Sequence, residues 1–257
     1  MTAQGVTGER VVTSEGGFNP TWQRHVAAYR DCAPFLPPGT IADIGCGVGH
    51  SYRLLAPRTT VGIDVEPTAL AGQDRHTVTA DMRKLPFSRA QFDGAISVHS
   101  IEHVPDPERA LAEMVRVVCP GGIVTLVTPN RLTFARPDEI IDPYHYVEYD
   151  PDQLRALCAQ FFDGVEVAGL FGSERYLALV AREREKLDVL LSRDRLGLRR
   201  RLPRRLLQRL YDRRLASERA GADPHAARIG VEDFSLGRED LARALDLLAV
   251  CRRPLKD

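Results

Sequence analysis

The stretch Thr40-Ile41-Ala42-Asp43-Ile44-Gly45-Cys46-Gly47-Val48-Gly49-His50 constrains the fold more than any other part of the chain. Ile41, Ala42 and Ile44 read as a buried strand, and three glycines in five residues follow at once. The spacing predicts a strand, a tight turn and a short helix over 50–55. A turn without Cβ atoms lets a ligand lie against the backbone, and a new helix points its first N–H groups at that ligand.

The pattern then alternates. Apolar runs at 60–64, 77–80, 92–98, 123–127 and 165–171 read as further strands, the second ending at Asp64 and the third at Asp81. Ahead of them all, 21–32 has helical spacing. Asp106-Pro107 opens a helix whose apolar face is Leu111, Met114, Val115 and Val118, and Pro120-Gly121-Gly122 stops it. Asp150-Pro151-Asp152-Gln153 carries a capping-box start, with Leu154, Leu157, Cys158 and Phe161 on one side. Alternating strands and helices imply an α/β fold, a doubly wound, mostly parallel, seven-stranded Rossmann-like sheet. Its ligands bind at the carboxyl ends of the strands, where the glycine turn, Asp64 and Asp81 gather.

From Glu174 the chain reads as helical and arginine-rich, and 245–251 is apolar enough to be a last buried strand. The domain reading is a core of 1–172 and 241–257, with 1–18 a flexible arm and 173–240 an Arg-rich helical insertion. Net charge is zero, yet 182–214 holds thirteen basic residues against five acidic ones. Five scattered cysteines without CxxC spacing argue against a disulfide framework or a structural zinc, and no metal site is expected. With no apolar signal segment, a cytoplasmic protein is expected.

A glycine turn after a first strand also fits a dinucleotide. That fingerprint needs a small residue at the sixth position from Gly45, which here is His50, while the third glycine falls one residue early at Gly49. The chain resembles the class I S-adenosylmethionine-dependent methyltransferases, in their bacterial small-molecule, type 11-like branch. The matching residues are Asp43 to Gly49, Gly62-Ile63-Asp64, Ala80-Asp81-Met82 with Leu85-Pro86-Phe87, Phe92-Asp93 through Glu102-His103-Val104, and Pro120-Gly121-Gly122. They occur in the family's order.

The resemblance implies S-adenosyl-L-methionine as cofactor. Gly45, Cys46, Gly47 and Gly49 would lie along its methionine part, with Asp43 acting on the ammonium directly or through water. Asp64 would accept the ribose hydroxyls beside Val65. Asp81 would take the adenine amino group with Met82 against the ring, and Ser97 and His99 would sit near the sulfonium. Tyr29 and Arg30 are candidates to close over the cofactor, with core packing for the one and a surface charge for the other as the alternatives. Cys46 has no base beside it and reads as a small turn residue, and Glu102 and His103 read as holders of the loop after strand four.

The acceptor side is expected from Thr128-Pro129-Asn130-Arg131 and from 142–149, with His145 as general base and His99 as the second choice. The resemblance points to O-methylation of a hydroxyl on a small molecule or glycan, such as a sugar, glycolipid precursor or secondary metabolite. C- or N-methylation of a lipid or quinone-type molecule and a dinucleotide-dependent oxidoreductase are the alternatives. Ser97-Val98-His99-Ser100 replaces the N/D-P-P-Y/F signature of amine-directed relatives, and nucleic acid is not an expected partner. Leu202, Leu206, Leu207 and Leu210 share one side of a helix. That stripe is expected to pack on the domain, with contact between 199–214 and an anionic membrane as the sharper reading. Oligomeric state is not legible.

Overall fold

The computed structural model describes residues 13–134, 139–192, 194, 198–219, 221 and 223–254. Helix α1 (Asn19–Cys32) leads into β1 (Thr40–Ile44), β2 (Thr59–Asp64), the one-turn α2 (Pro67–Leu70), β3 (Thr77–Thr79) and β4 (Phe92–Val98). Then come α3 (Pro107–Val117), β5 (Val118–Pro129), the short α4 (Arg131–Phe134), α5 (Pro151–Ala159) and β6 (Phe162–Gly172). Helices α6 (Glu174–Ser192), α7 (Arg204–Arg219) and α8 (Pro224–Ala227) precede β7 (Phe234–Gly237) and β8 (Asp246–Pro254).

The sheet order is β3-β2-β1-β4-β5-β8-β6-β7. The first five strands pair in parallel, and β8 runs antiparallel between β5 and β6. Among the described residues there are eight strands rather than the expected seven; the extra one, β7, lies in the turn-rich segment read as insertion. The order reverses between β1 and β4, so a crevice opens at their carboxyl ends.

Period-two alternation decides what each face buries. Ala42, Ala95, Leu247, Ala249 and Cys251 join one core cluster, while Ile41, Ile96, Leu248 and Val250 join the other. The first cluster takes Leu111, Met114 and Val117 of α3 and Leu154, Leu157 and Cys158 of α5; the second takes Ala28, Tyr29 and Cys32 of α1. Each of these large apolar side chains contributes about 1.5–3 kcal/mol by leaving water.

Helix α3 starts where its cap predicts, with the Asp106 carboxylate accepting from Arg109 N–H at 3.1 Å. Its last apolar position is Val117 rather than Val118, because Val118 already pairs with Phe92 in the sheet. Pro120-Gly121-Gly122 does not end an element. Gly121 takes φ +85°, and β5 continues through it with a register shift against β4. Helix α5 carries its full capping box, Asp150 and Gln153 each accepting from the other's backbone N–H.

The chain divides into two compact units. The larger comprises His25–Ile141, His145–Phe171 and Leu236–Asp257; the smaller comprises Asp142–Tyr144 and Gly172–Ser235 with the described residues up to Arg24. Within the smaller unit, Asp233 accepts from Ser173 Oγ at 2.5 Å and from Arg175 at 2.6 Å. Helix α7 holds the Asp142–Tyr144 segment, with Arg204 donating to the carbonyls of Pro143 and Tyr144 and Tyr144 donating to Asp212 at 2.6 Å.

Of the leucine stripe expected to pack on the domain, Leu207 is half-buried, whereas Leu202, Leu206 and Leu210 are 37%, 42% and 47% exposed. The arginine i−4 ladder Arg205, Arg209 and Arg213 is exposed with them. Of the expected arm at 1–18, residues 1–12 lie outside the described residues.

Candidate functional site

The glycine turn after β1 is pinned to β2. Gly45 and Cys46 both donate their N–H to the Ile63 carbonyl, at 2.7 and 3.0 Å. Gly45, Gly47 and Gly49 all take positive φ. A Cβ at Gly45 would collide with Ser100 Oγ, which donates to the Gly45 carbonyl at 3.0 Å. A Cβ at Gly47 would meet nothing within 4 Å, so that backbone faces open space. The helix expected over 50–55 is only a 3-10 turn at Tyr52–Leu55. The turn therefore offers bare backbone rather than the positive end of a helix.

Asp64, buried at the end of β2, holds the turn in shape. One carboxylate oxygen accepts from Gly47 N–H and the other from Glu66 N–H, both at 2.9 Å. Cys46 is buried with Sγ 3.6 Å from the Gly47 carbonyl, and burial pushes its thiol up to about 12. A thiol held neutral in this way is no nucleophile.

Asp43 is fully buried, accepting from Tyr29 Oη at 2.8 Å and from Arg75 Nη1 at 2.7 Å. Burial pushes its carboxyl up, against the pull of the Arg75 guanidinium and the Tyr29 hydroxyl. With no exposed surface, Asp43 braces the turn from behind. Tyr29 and Arg30 do not close over the site, since Tyr29 is buried on Asp43 and Arg30 pairs with Asp31 at 2.6 Å.

After β2, Val65 is 59% exposed beside Asp64, an apolar face turned to solvent. After β3, Asp81 is gripped by the Arg83 fork at 2.6 Å, which holds its carboxyl below the usual carboxylate range. Any other donor to Asp81 must share it with Arg83. Met82 is buried, with its methyl group 3.4 Å from where a Gly45 Cβ would lie.

Beyond β4 the polar groups become dense. Ser97 Oγ is buried with no hydrogen-bond partner among the described residues. His99 takes φ +50°, stacks on His25 with ring centroids 4.3 Å apart, and brings Nε2 to 3.3 Å from Asp246. Glu102 is fully buried; its carbonyl accepts from Tyr146 N–H at 2.7 Å and its Oε2 from Thr128 Oγ1 at 3.0 Å. These bonds carry His145 to the β4 end, where its ring meets that of His103 edge-on at 4.9 Å. His145 Nδ1 lies 2.8 Å from Glu148 Oε1, itself almost fully buried. Asn130, expected on the acceptor side, is instead structural. It is fully buried and donates to the carbonyls of Leu241 and Ala244.

The topology thus brings Gly45, Gly47, Asp64, Met82 and Ser100 together at the turn, and gathers His99, Glu102, His103 and His145 past the end of β4, where Ser97 lies. Sequence reasoning missed Arg75, and it named Ser100 and Glu148 only within their segments, without a part of their own. Only Glu148 left a signal, its three-residue spacing from His145 ahead of the α5 cap.

These residues meet what S-adenosylmethionine requires: open backbone at Gly47, a carboxylate oriented in advance at Asp64, and an exposed apolar face at Val65. A family model of a methyltransferase domain matches residues 42–126. A probable S-adenosylmethionine-dependent methyltransferase of Mycobacterium tuberculosis is 32% identical over 187 residues, spanning 69% of this chain and 68% of that one. A similarly described protein of Mycolicibacterium smegmatis is 26% identical over 261 residues, 97% of this chain and 95% of the relative. Among solved structures, an S-adenosylmethionine-dependent methyltransferase of Thermotoga maritima, described as a possible histamine N-methyltransferase, superposes with a TM-score of 0.59. At 16% identity over 90% of each chain, that likeness speaks to the fold alone.

Proposed function

This chain belongs to the S-adenosylmethionine-dependent methyltransferases, and on that premise we propose that it methylates a hydroxyl of a small-molecule acceptor, such as a sugar, a glycolipid precursor or a secondary metabolite. The dinucleotide-dependent alternative falls with the family. Gly45, Cys46, Gly47 and Gly49 would line the methionine part of the cofactor, Asp64 would accept its ribose hydroxyls, and Val65, Met82 and Asp81 would receive the adenine. When bound, the cofactor supplies a sulfonium methyl group whose sulfur is already a good leaving group.

What the protein must add is an aligned acceptor and, for a hydroxyl, a way to take up its proton. The observation that carries the hydroxyl reading is the His145–Glu148 pair. A carboxylate on Nδ1 fixes the imidazole tautomer and leaves Nε2 with the lone pair that an acceptor hydroxyl needs. His99 is the weaker candidate, since its ring is committed to His25 and its Nε2 faces Asp246.

The test is a panel of hydroxyl, hydroquinone and amine acceptors with isotope-labelled methyl donor, the product bond assigned by NMR. Methyl on oxygen is expected, with His145→Ala about 10²–10⁴-fold slower and binding of S-adenosylhomocysteine unchanged. Methyl on carbon or nitrogen would replace this reading with the lipid or quinone alternative.

The exposed Leu206–Leu210 and Arg205–Arg209–Arg213 face supports peripheral contact with an anionic membrane that carries such an acceptor. No helix among the described residues is long and apolar enough to cross a bilayer, and we place the protein in the cytoplasm. Flotation with anionic but not neutral vesicles, lost on changing the three arginines to glutamate, is the expected result. Equal recovery from both vesicle types would remove the membrane contact.

A further inference from the structure

Glu102, His103 and His145 each place a ligand atom within 4.8 Å of the other two. Forty-two positions separate His103 from His145, and the Glu102 carbonyl closes that gap by accepting from Tyr146 N–H. The cluster is built into the β4 end rather than scattered over a surface.

Its charges do not balance. Glu102 is fully buried, and its Oε1 has no hydrogen-bond partner among the described residues. Oε2 has only the neutral Thr128 hydroxyl, and His99 Nδ1 stands 3.9 Å from Oε1, beyond hydrogen-bond reach. Glu148 is also buried, with Oε2 unpartnered. Among the described residues, the ion pairs of both glutamates are with histidine alone. Burying a carboxylate this way is costly unless a cation compensates it.

The donor set says which cation. Two imidazoles and one carboxylate suit a divalent first-row transition metal, whereas magnesium and calcium prefer all-oxygen shells. Glu148 on His145 Nδ1 is the outer carboxylate that metal-binding histidines commonly have, fixing the tautomer that presents Nε2. Ligand atoms around such a metal stand about 3–3.5 Å apart, given bonds of roughly 2.0–2.2 Å. Side-chain movements of about an ångström would close the set.

We propose that Glu102, His103 and His145 bind one divalent transition-metal ion, zinc or iron in class, with at least one position open to the acceptor. The catalytic use of the ion rests on the hydroxyl-acceptor reading above. A hydroxyl bound to the ion gives its proton to water, the alkoxide electron pair forms the new C–O bond, and the C–S bond breaks with its pair going to sulfur. His145 then serves the acceptor through the ion, and accepts the proton itself only in the metal-free protein.

The experiment uses the untagged full chain, stripped with chelator and titrated with Co(II), with visible d–d absorption and elemental analysis as readouts. One Co(II) per chain with tetrahedral or five-coordinate bands is expected, displaced by Zn(II). The His103→Ala and His145→Ala variants should lose the bands, and Glu148→Gln should weaken uptake about 10–100-fold. Thermal melting and binding of S-adenosylhomocysteine show that the variants fold, with His103→Gln and His145→Gln in reserve. The proposal is overturned if the wild type takes up no Co(II), if it binds only millimolar Mg(II), or if the His103→Ala/His145→Ala double variant keeps full uptake. Because uptake is read without acceptor, it stands or falls separately from the site of methylation.

Discussion

The glycine turn makes two substitutions that look alike behave differently. Gly45 and Gly47 both lie in the left-handed region, at φ +73° and +52°, so an alanine at either loses about 1–2 kcal/mol from the backbone. At Gly47 the new methyl meets no atom within 4 Å and nothing more is lost. At Gly45 it lands on Ser100 Oγ, adding the roughly 1–3 kcal/mol typical of overpacking. For a chain of this size each kcal/mol lowers Tm by about 2–4 °C. Gly47→Ala should therefore melt about 2–8 °C below wild type and Gly45→Ala about twice as far, part of the latter being restored by Ser100→Gly. Ligand affinity should rank the other way. If the open side of Gly47 is where the cofactor lies, a methyl there displaces it, and 1.4 kcal/mol is already tenfold. Calorimetry with S-adenosylhomocysteine should show at least tenfold weaker binding for folded Gly47→Ala. Affinity within about twofold of wild type would refute the assignment of the turn's open face to the ligand.

Three further outcomes are expected. Arg75→Met leaves the Asp43 carboxylate buried beside Tyr29 alone and should destabilise the protein by about 3–5 kcal/mol in urea titration, with Asp43→Asn in the same chain recovering part of the loss. Burial pushes His50 down from 6.5 to about 4, so the unfolded chain binds a proton there that the folded one refuses. Stability is then full above pH 6.5 and falls as pH drops toward 4, by up to about 3 kcal/mol; His50→Gln should flatten that part of the pH–stability curve. Iodoacetamide at pH 8 should modify the half-buried Cys119 long before Cys46, whose thiol lies near 12; fast labelling of Cys46 would contradict its burial.

Much of the sheet was readable because its strands are continuous apolar runs with one residue per face in strict alternation. Ile41 against Ala42 and Leu248 against Ala249 show the two faces in the residues themselves. Strand β7 was not readable, since the alternation Phe234-Ser235-Leu236-Gly237 is only four residues long and sits among turn formers. Pro120-Gly121-Gly122 read as a stop because local chemistry favours one, but pairing with β4 and β8 outweighs it. At the site, Asp64 was legible from its place after a strand. The partner of Asp43 was not legible, because Arg75 lies 32 positions away and nothing local says that the two meet. The same holds for Glu102, His103 and His145. Glu102 and His103 were noticed together and His145 apart from them, and it is backbone hydrogen bonds from Tyr146 and Val147 N–H to the Glu102 carbonyl that make them neighbours.

Strand β8 has a consequence for how the chain is made. Among the described residues it is the last strand in chain order, yet it lies in the sheet interior, between β5 and β6, which are not neighbours in the sheet. A nascent chain still short of Asp246 therefore leaves β5 and β6 with unpaired backbone along one side each, the kind of exposed edge that recruits other chains. The crevice-forming half, β1 to β5, can assemble early during synthesis, whereas the other half must wait. Translation pauses, premature stops or C-terminal trimming that remove β8 should thus yield aggregation rather than a smaller working protein.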